Sequence, residues 1–124
     1  NTDEALLQQA EEELHNCVAF FSKDEGLKVE TRSLARFEPV EFDSRVVEQI
    51  EELAQQTGLS TKRMPSGAGH DAQMMARICP TGMIFVPSLD GISHNPAEHT
   101  DERDLIAGTQ LLSDTMLALT EVDW

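Results

Sequence analysis

The stretch GMIFVPS, residues 82–88, decides how the rest of the chain is read. Met83, Ile84, Phe85 and Val86 are apolar without interruption, the pattern of a strand covered on both faces. Pro87 has no backbone N–H with which to continue a ladder, so it ends the run. Such a strand needs helices around it, and the flanking sequence supplies them. Upstream, Val46, Val47, Ile50, Leu53 and Ala54 recur at helical spacing between Arg45 and Thr57, with Asp43 or Ser44 as cap and Gly58 as stop. Asp71 to Ile78 holds the helix formers Ala72, Met74, Met75 and Ala76. Downstream, Thr100 or Asp101 opens a helix running to Glu121, with Leu105, Ala107, Leu111, Leu112, Met116 and Leu119 facing inward. Helix, extended loop, short helix, buried strand, loop and helix in that order predict an α/β layer with a mostly parallel sheet.

The first third of the chain is organised differently. Leu6, Ala10, Leu14, Val18 and Phe21 form one apolar stripe from Ala5 to Phe21, capped by Thr2 or Asp3 and closed by Gly26. LKVETRSLARF, residues 27–37, alternates as a strand with one solvated face would, and the alternation blurs into a bulge at Leu34 and Ala35. EPVEFD breaks the pattern and sets a domain boundary within residues 38–43. The chain opens on a helix start without an initiator Met, which reads as a fragment or a trimmed product.

At 124 residues the length is that of one ordinary domain. The formal net charge of −14 argues against nucleic acid, which needs clustered Lys and Arg. No apolar run approaches the roughly 20 residues of a membrane span. The polar, acidic start lacks the apolar core of a secretory signal. Cys17 and Cys79 have no CxxC spacing; free buried thiols in a reducing compartment are favoured over a single disulfide, and the expected location is cytoplasmic.

Ligands of open α/β sheets bind beyond the carboxyl ends of strands. The loop after the buried strand, SLDGISHNPAEHT, carries His94 at that place, with Gly91 for backbone freedom and Asn95-Pro96 fixing the following turn. A second loop, SGAGH, residues 66–70, ends at His70 before a helix start, where N–H groups favour an anion or a polarised carbonyl oxygen. Small residues there permit close backbone approach. On the residues alone these features stay open. A loop His is more often a hydrogen-bonding surface group than a metal ligand, and SGAG is also an ordinary turn. No Gly-Lys-Ser/Thr follows it, so it is not a phosphate P-loop, and no Gly-x-Ser-x-Gly elbow is present. His94 and His99, five apart, are a weak zinc pattern, while His15 and His99 read as solvated. Met74 and Met75 read as core rather than ligands. Asp90 and Glu98 flank His94 and read either as groups that orient it from behind or as ordinary acidic loop residues.

Taken together, MPSGAGHDAQMMARICPTGMIFVPSLDGISHNPAEHT, residues 64–100, resembles the amidase, hydantoinase/carbamoylase family, dinuclear-metal enzymes related to the M20 metallopeptidases. The SGAGHDA loop, the MIFVPS strand and the GISH loop with a nearby Glu occur in the family's order. The resemblance implies the C-terminal part of a metallo-exopeptidase-like α/β catalytic domain over residues 42–124. Residues 1–41 would be a helix–strand piece ending the family's inserted dimerisation, or lid, domain. By the same resemblance His94 is a metal ligand, and Gly69 and His70 contact substrate. Glu98 matches a recurrent acidic position without an assigned role.

The implied reaction is hydrolysis of the linear ureido C–N bond of N-carbamoyl-L-amino acids, with two divalent ions, zinc or manganese, in the complete enzyme. Allantoate or another ureido compound of purine breakdown is the close variant. A truncated binding or dimerisation module is the alternative of a different class. The implied partners are a small carbamoyl or ureido substrate and, for the complete protein, a second copy of the chain, with neither nucleic acid nor membrane. The remaining metal ligands, the catalytic Glu and the substrate-clamping Arg of the family have no counterpart in these residues, so this chain alone is expected to be inactive.

Overall fold

Every long helix in the chain starts on an aspartate. The computed structural model describes residues 2–122. Helix α1, Glu4–Asp24, is capped by Asp3, whose carboxylate accepts the N–H groups of Ala5 (2.9 Å) and Leu6 (3.3 Å). Helix α2, Ser44–Gln56, is capped by Asp43 through the Arg45 N–H at 2.9 Å. Helix α3 is the short Asp71–Met75, and helix α4, Glu102–Leu119, is capped by Asp101 through the Arg103 N–H at 2.9 Å. Each carboxylate satisfies an N–H that the first helical turn leaves without an intrahelical partner, and its charge suits the positive end of the helix.

Glycine closes two of these helices. Gly58 takes φ 77 after α2, and the Gly58 and Leu59 N–H groups return to the carbonyls of Gln55 (3.0 Å) and Ala54 (2.9 Å). Gly26, at φ 63, follows α1 in the same way, with the Leu27 N–H donating to Ser22 O at 2.9 Å. These are Schellman closures, which need a left-handed residue that only Gly supplies without steric cost.

The described residues group into two units, one running to Val40 and including Pro65–Gly67, the other made of Glu41–Met64 and the chain from Ala68. In the first, α1 buries none of its side chains; Leu6, Leu14, Phe20 and Phe21 are all exposed, as is Leu34 of the following segment at 85%. Arg36 ties that segment to the helix, reaching Glu4 at 2.5 Å and Glu11 at 3.0 Å. The guanidinium holds the Glu4 carboxyl below its ordinary value, against an opposing push from desolvation.

In the second unit α2 packs on α4, and Val46, Ala54, Leu111 and Thr115 are buried. Thr115 is absorbed there because its hydroxyl donates to Leu111 O at 2.7 Å, which removes the cost of burying it. Residues 82–86 run against both helices. A Cβ on Gly82 would meet Val46 Cγ1 at 2.7 Å and Ile50 Cδ1 at 3.2 Å, and one on Gly108 of α4 would strike Val86 Cγ1. The segment's start is fastened where the Asp43 N–H donates to Thr81 O at 3.1 Å.

Several expectations are corrected here. Among the described residues no strand is formed, neither at 27–37 nor at 83–86, and the secondary structure is helical. A strand exists only where a neighbour completes its hydrogen-bond ladder, and no ladder partner faces either segment among those residues. Residues 27–37 are exposed throughout, without a covered face. Helix α3 stops at Met75 instead of Ile78, and continues only as turns. On α4, Leu105, Leu112 and Met116 are exposed; the inward stripe is Ala107, Gly108, Leu111, Thr115 and Leu119. Met74 and Met75 are exposed, and Cys17 and Cys79 are free but exposed. Residues 1, 123 and 124, which the sequence-based domains include, lie outside the described residues. No helix is long and apolar enough to cross a membrane among the described residues.

Candidate functional site

Gly69, His70 and His94 all belong to the second unit. His70 is the residue before α3, in extended backbone at φ −134, ψ 153. Gln73 reaches back from the first turn, and its Oε1 accepts the His70 N–H at 3.3 Å. That bond fixes the backbone at the loop's end while the imidazole stays exposed. The ring stands edge-on to Phe85, with centroids 6.0 Å apart at 71°. Such an arrangement suits the positive edge of one ring and the negative face of the other. Gly69 is open to solvent, and a Cβ there would sit in ordinary contact with Gln73 Oε1 at 3.6 Å. At five residues, α3 is too short to supply the helix-end anion site that the sequence suggested.

His94 lies in the loop that leaves the 82–86 segment. Its neck is drawn shut by the Leu89 N–H on His99 O at 2.8 Å, and Ser88 Oγ donates to Ile92 O at 2.5 Å. A 3-10 turn, Leu89–Gly91, opens the loop, and Asp90 (φ 54), Gly91 (φ 68) and His94 (φ 56) are all left-handed. Asn95 then folds the chain back, its Oδ1 accepting the Ala97 N–H and its carbonyl the Glu98 N–H, each at 2.9 Å. Glu98 is thereby turned toward His94, whose N–H donates to Glu98 Oε2 at 2.8 Å. The His94 side chain is exposed.

Along the chain, residues 82–86 lie between the two histidines: the His70 ring meets Phe85 edge-on, and the loop bearing His94 follows the segment's end. No hydrogen bond or ring contact joins His70 to His94. His15 and His99 are exposed, as expected. Asp90, set beside Glu98 in the sequence reading, adopts the loop's first left-handed turn, and the Glu98 carboxylate alone reaches His94.

Among the described residues no group of three His, Cys, Asp or Glu side chains could hold an ion. An exposed imidazole on a fixed loop fits as one ligand of such a centre, and a complete centre needs donors beyond those residues. Elsewhere, a shallow groove of about 460 Å³ lined by Glu102, Leu105, Ile106, Thr109, Gln110 and Ser113 runs along α4, and neither histidine borders it.

Residues 4–118 match peptidase family M20/M25/M40. The chain is 37% identical over 124 residues to an allantoate amidohydrolase of Escherichia coli, covering all of this chain and 29% of that protein. It is 37% identical over 100 residues to an N-carbamoyl-L-amino acid amidohydrolase of Geobacillus stearothermophilus, covering 81% of this chain and 24% of the relative. A crystal structure of an amidase of the hydantoinase/carbamoylase family from Burkholderia vietnamiensis superimposes with a TM-score of 0.90 at 36% identity, over 95% of this chain and 29% of the other. The chain thus spans 24% to 29% of the length of these relatives.

Proposed function

The chain belongs to peptidase family M20/M25/M40, and on that premise we propose that it is the C-terminal part of a dinuclear-metal amidohydrolase cleaving the linear ureido C–N bond of N-carbamoyl-L-amino acids. The observation that carries this reading is the pair of exposed imidazoles on loops flanking one apolar segment, His70 against Phe85 and His94 in the loop that follows. Residues 1–41 are the end of a lid domain through which two copies pair, and residues 42–124 belong to the catalytic domain. The exposed apolar side chains of α1 support that division, since a face of that kind is normally covered in an assembled protein.

Zinc or manganese, when bound, would polarise the ureido carbonyl and lower the pKa of the attacking water. This chain's share is narrower. His94 would hold one ion through its imidazole. His70 would donate a hydrogen bond to the carbonyl oxygen as negative charge develops there, and Gly69 would let substrate approach the backbone without a Cβ in the way. The catalytic Glu and the other metal ligands would come from outside these residues.

A second substrate reading, allantoate or a related ureido compound, is favoured by the alignment of the whole of this chain with 29% of the E. coli enzyme. Turnover of N-carbamoyl-L-amino acids and allantoate by the complete protein separates the two. In that protein His94→Ala is expected to lose bound metal. His70→Ala is expected to keep its metal but lower kcat by about 10²–10³, the scale of one donor to a developing oxyanion. Unchanged kcat and KM in His70→Ala would overturn that residue's role, and undiminished metal content in His94→Ala would overturn the ligand assignment. A complete protein that turns over neither substrate class would favour a non-catalytic binding module.

A further inference from the structure

The left-handed backbone of His94 has one visible cause. At φ 56 a β-carbon crowds the following carbonyl, and nothing in the imidazole offsets this. The Glu98 carboxylate does, by accepting the His94 N–H at 2.8 Å, within the ordinary range of an N–H···O bond. Glu98 is itself held. Its own N–H is fixed on Asn95 O at 2.9 Å, and its neighbour His99 closes the neck of the loop on Leu89 at 2.8 Å. The loop thus brings an acceptor back to the residue whose conformation most needs one.

We propose that Glu98 is a positioning residue: its carboxylate locks the His94 backbone in the left-handed form and so aims the imidazole, without itself binding the metal. This rests on reading His94 as a ligand. It assigns Glu98 a task that depends on reach to a backbone N–H and not on charge delivered to an ion.

The test uses the complete enzyme with two substitutions that separate reach from charge. Glu98→Gln keeps an oxygen at the same distance but loses the charge; Glu98→Asp keeps the charge but is one methylene too short. Zinc affinity is measured by chelator competition well below the melting temperature, alongside kcat and KM with and without added zinc. Glu98→Asp is expected to lose about 10- to 100-fold in zinc affinity, the usual scale for an outer partner of a metal-bound His. Its activity should recover as zinc is raised, with KM unchanged. Glu98→Gln should stay within about threefold of the parent, because an amide oxygen still accepts the N–H. Loss in Gln equal to that in Asp would overturn the proposal in favour of a carboxylate on the metal, and no loss in either would overturn it outright. His94→Ala, run in parallel, isolates the premise: metal retained there defeats the ligand reading, whereas metal lost there with both Glu98 variants unaffected defeats only the positioning role.

Discussion

A histidine at φ 56 accepts a steric penalty of about 1–2 kcal/mol that glycine would not incur. The unfolded chain gains freedom with glycine, worth about 0.5–1 kcal/mol against it. The steric term is the larger by about 0.5–1 kcal/mol, so His94→Gly is expected, with both proteins stripped of metal, to leave the melting temperature at or slightly above the parent's while removing the proposed metal ligand. Metal analysis before stripping and differential scanning calorimetry after it check both halves; a large drop in melting temperature would mean the imidazole also serves packing. This residue also marks where the sequence stops being readable. Gly91 announces its left-handed backbone by its type, and φ 68 agrees. Asp90 and His94 do not, because their conformations come from the loop closing on itself through His99 and Glu98. Those bonds span several residues and leave no local pattern. Thr115 was missed for a related reason: a polar letter hides a side chain that satisfies its own hydroxyl one turn back.

At the scale of elements, helix ends were the most legible feature. Asp3, Asp43, Asp101, Gly26 and Gly58 act where their chemistry says they should, since capping is settled within a few residues. Faces were less legible. Helix α4 carries apolar residues nearly all round, so composition could not choose between Leu111, which is buried, and Leu112, which is exposed. Nor could it reveal that Gly108 makes room for Val86. Gly108→Ala would gain helix propensity of about 1 kcal/mol yet force Val86 aside. We expect a net loss of about 1–2 kcal/mol, within the usual range for overpacking. The double variant Gly108→Ala/Val86→Ala should recover part of it, because the clash goes with the side chain. Urea titrations of Gly108→Ala, Val86→Ala and the double variant measure the coupling, and strict additivity would show that the contact does not matter.

The Arg36 staple is an element-level device with a pH signature. Arg36 lowers the Glu4 pKa, so the folded state binds the proton less tightly than the unfolded chain does. The contribution is therefore present in full above the ordinary carboxylate value of 4.5 and is lost as the pH falls below it through the lowered folded value. Both partners are a third exposed, which lets salt screen the pair. NMR backbone order parameters of residues 34–38 should fall on acidification below that value, on adding salt at neutral pH, and in Arg36→Gln at neutral pH and low salt. Order parameters in Arg36→Gln that matched the parent at neutral pH and low salt would show that the ion pair does not hold this segment.

For the whole molecule, the same facts that make the family recognisable limit what these residues do alone. The motif from 64 to 100 was legible because its three pieces occur in one order, and the family match over residues 4–118 agrees with it. The sheet expected from the sequence is not formed among the described residues, because a strand is a relation between segments and GMIFVPS finds no ladder partner there. Metal binding follows the same logic: one exposed imidazole without two further donors gives no closed coordination shell. Large apolar side chains such as Phe20, Ile78 and Leu117 also remain exposed, so little hydrophobic driving force is spent inside this chain. The 124-residue polypeptide prepared on its own is therefore expected to bind a dye specific for exposed apolar surface. It should also show no stoichiometric, tight zinc or manganese binding in titration calorimetry, and no turnover of carbamoyl or ureido substrates. Tight one-to-one metal binding by the isolated chain would require donors that its described residues do not bring together, and would force a different account of His94.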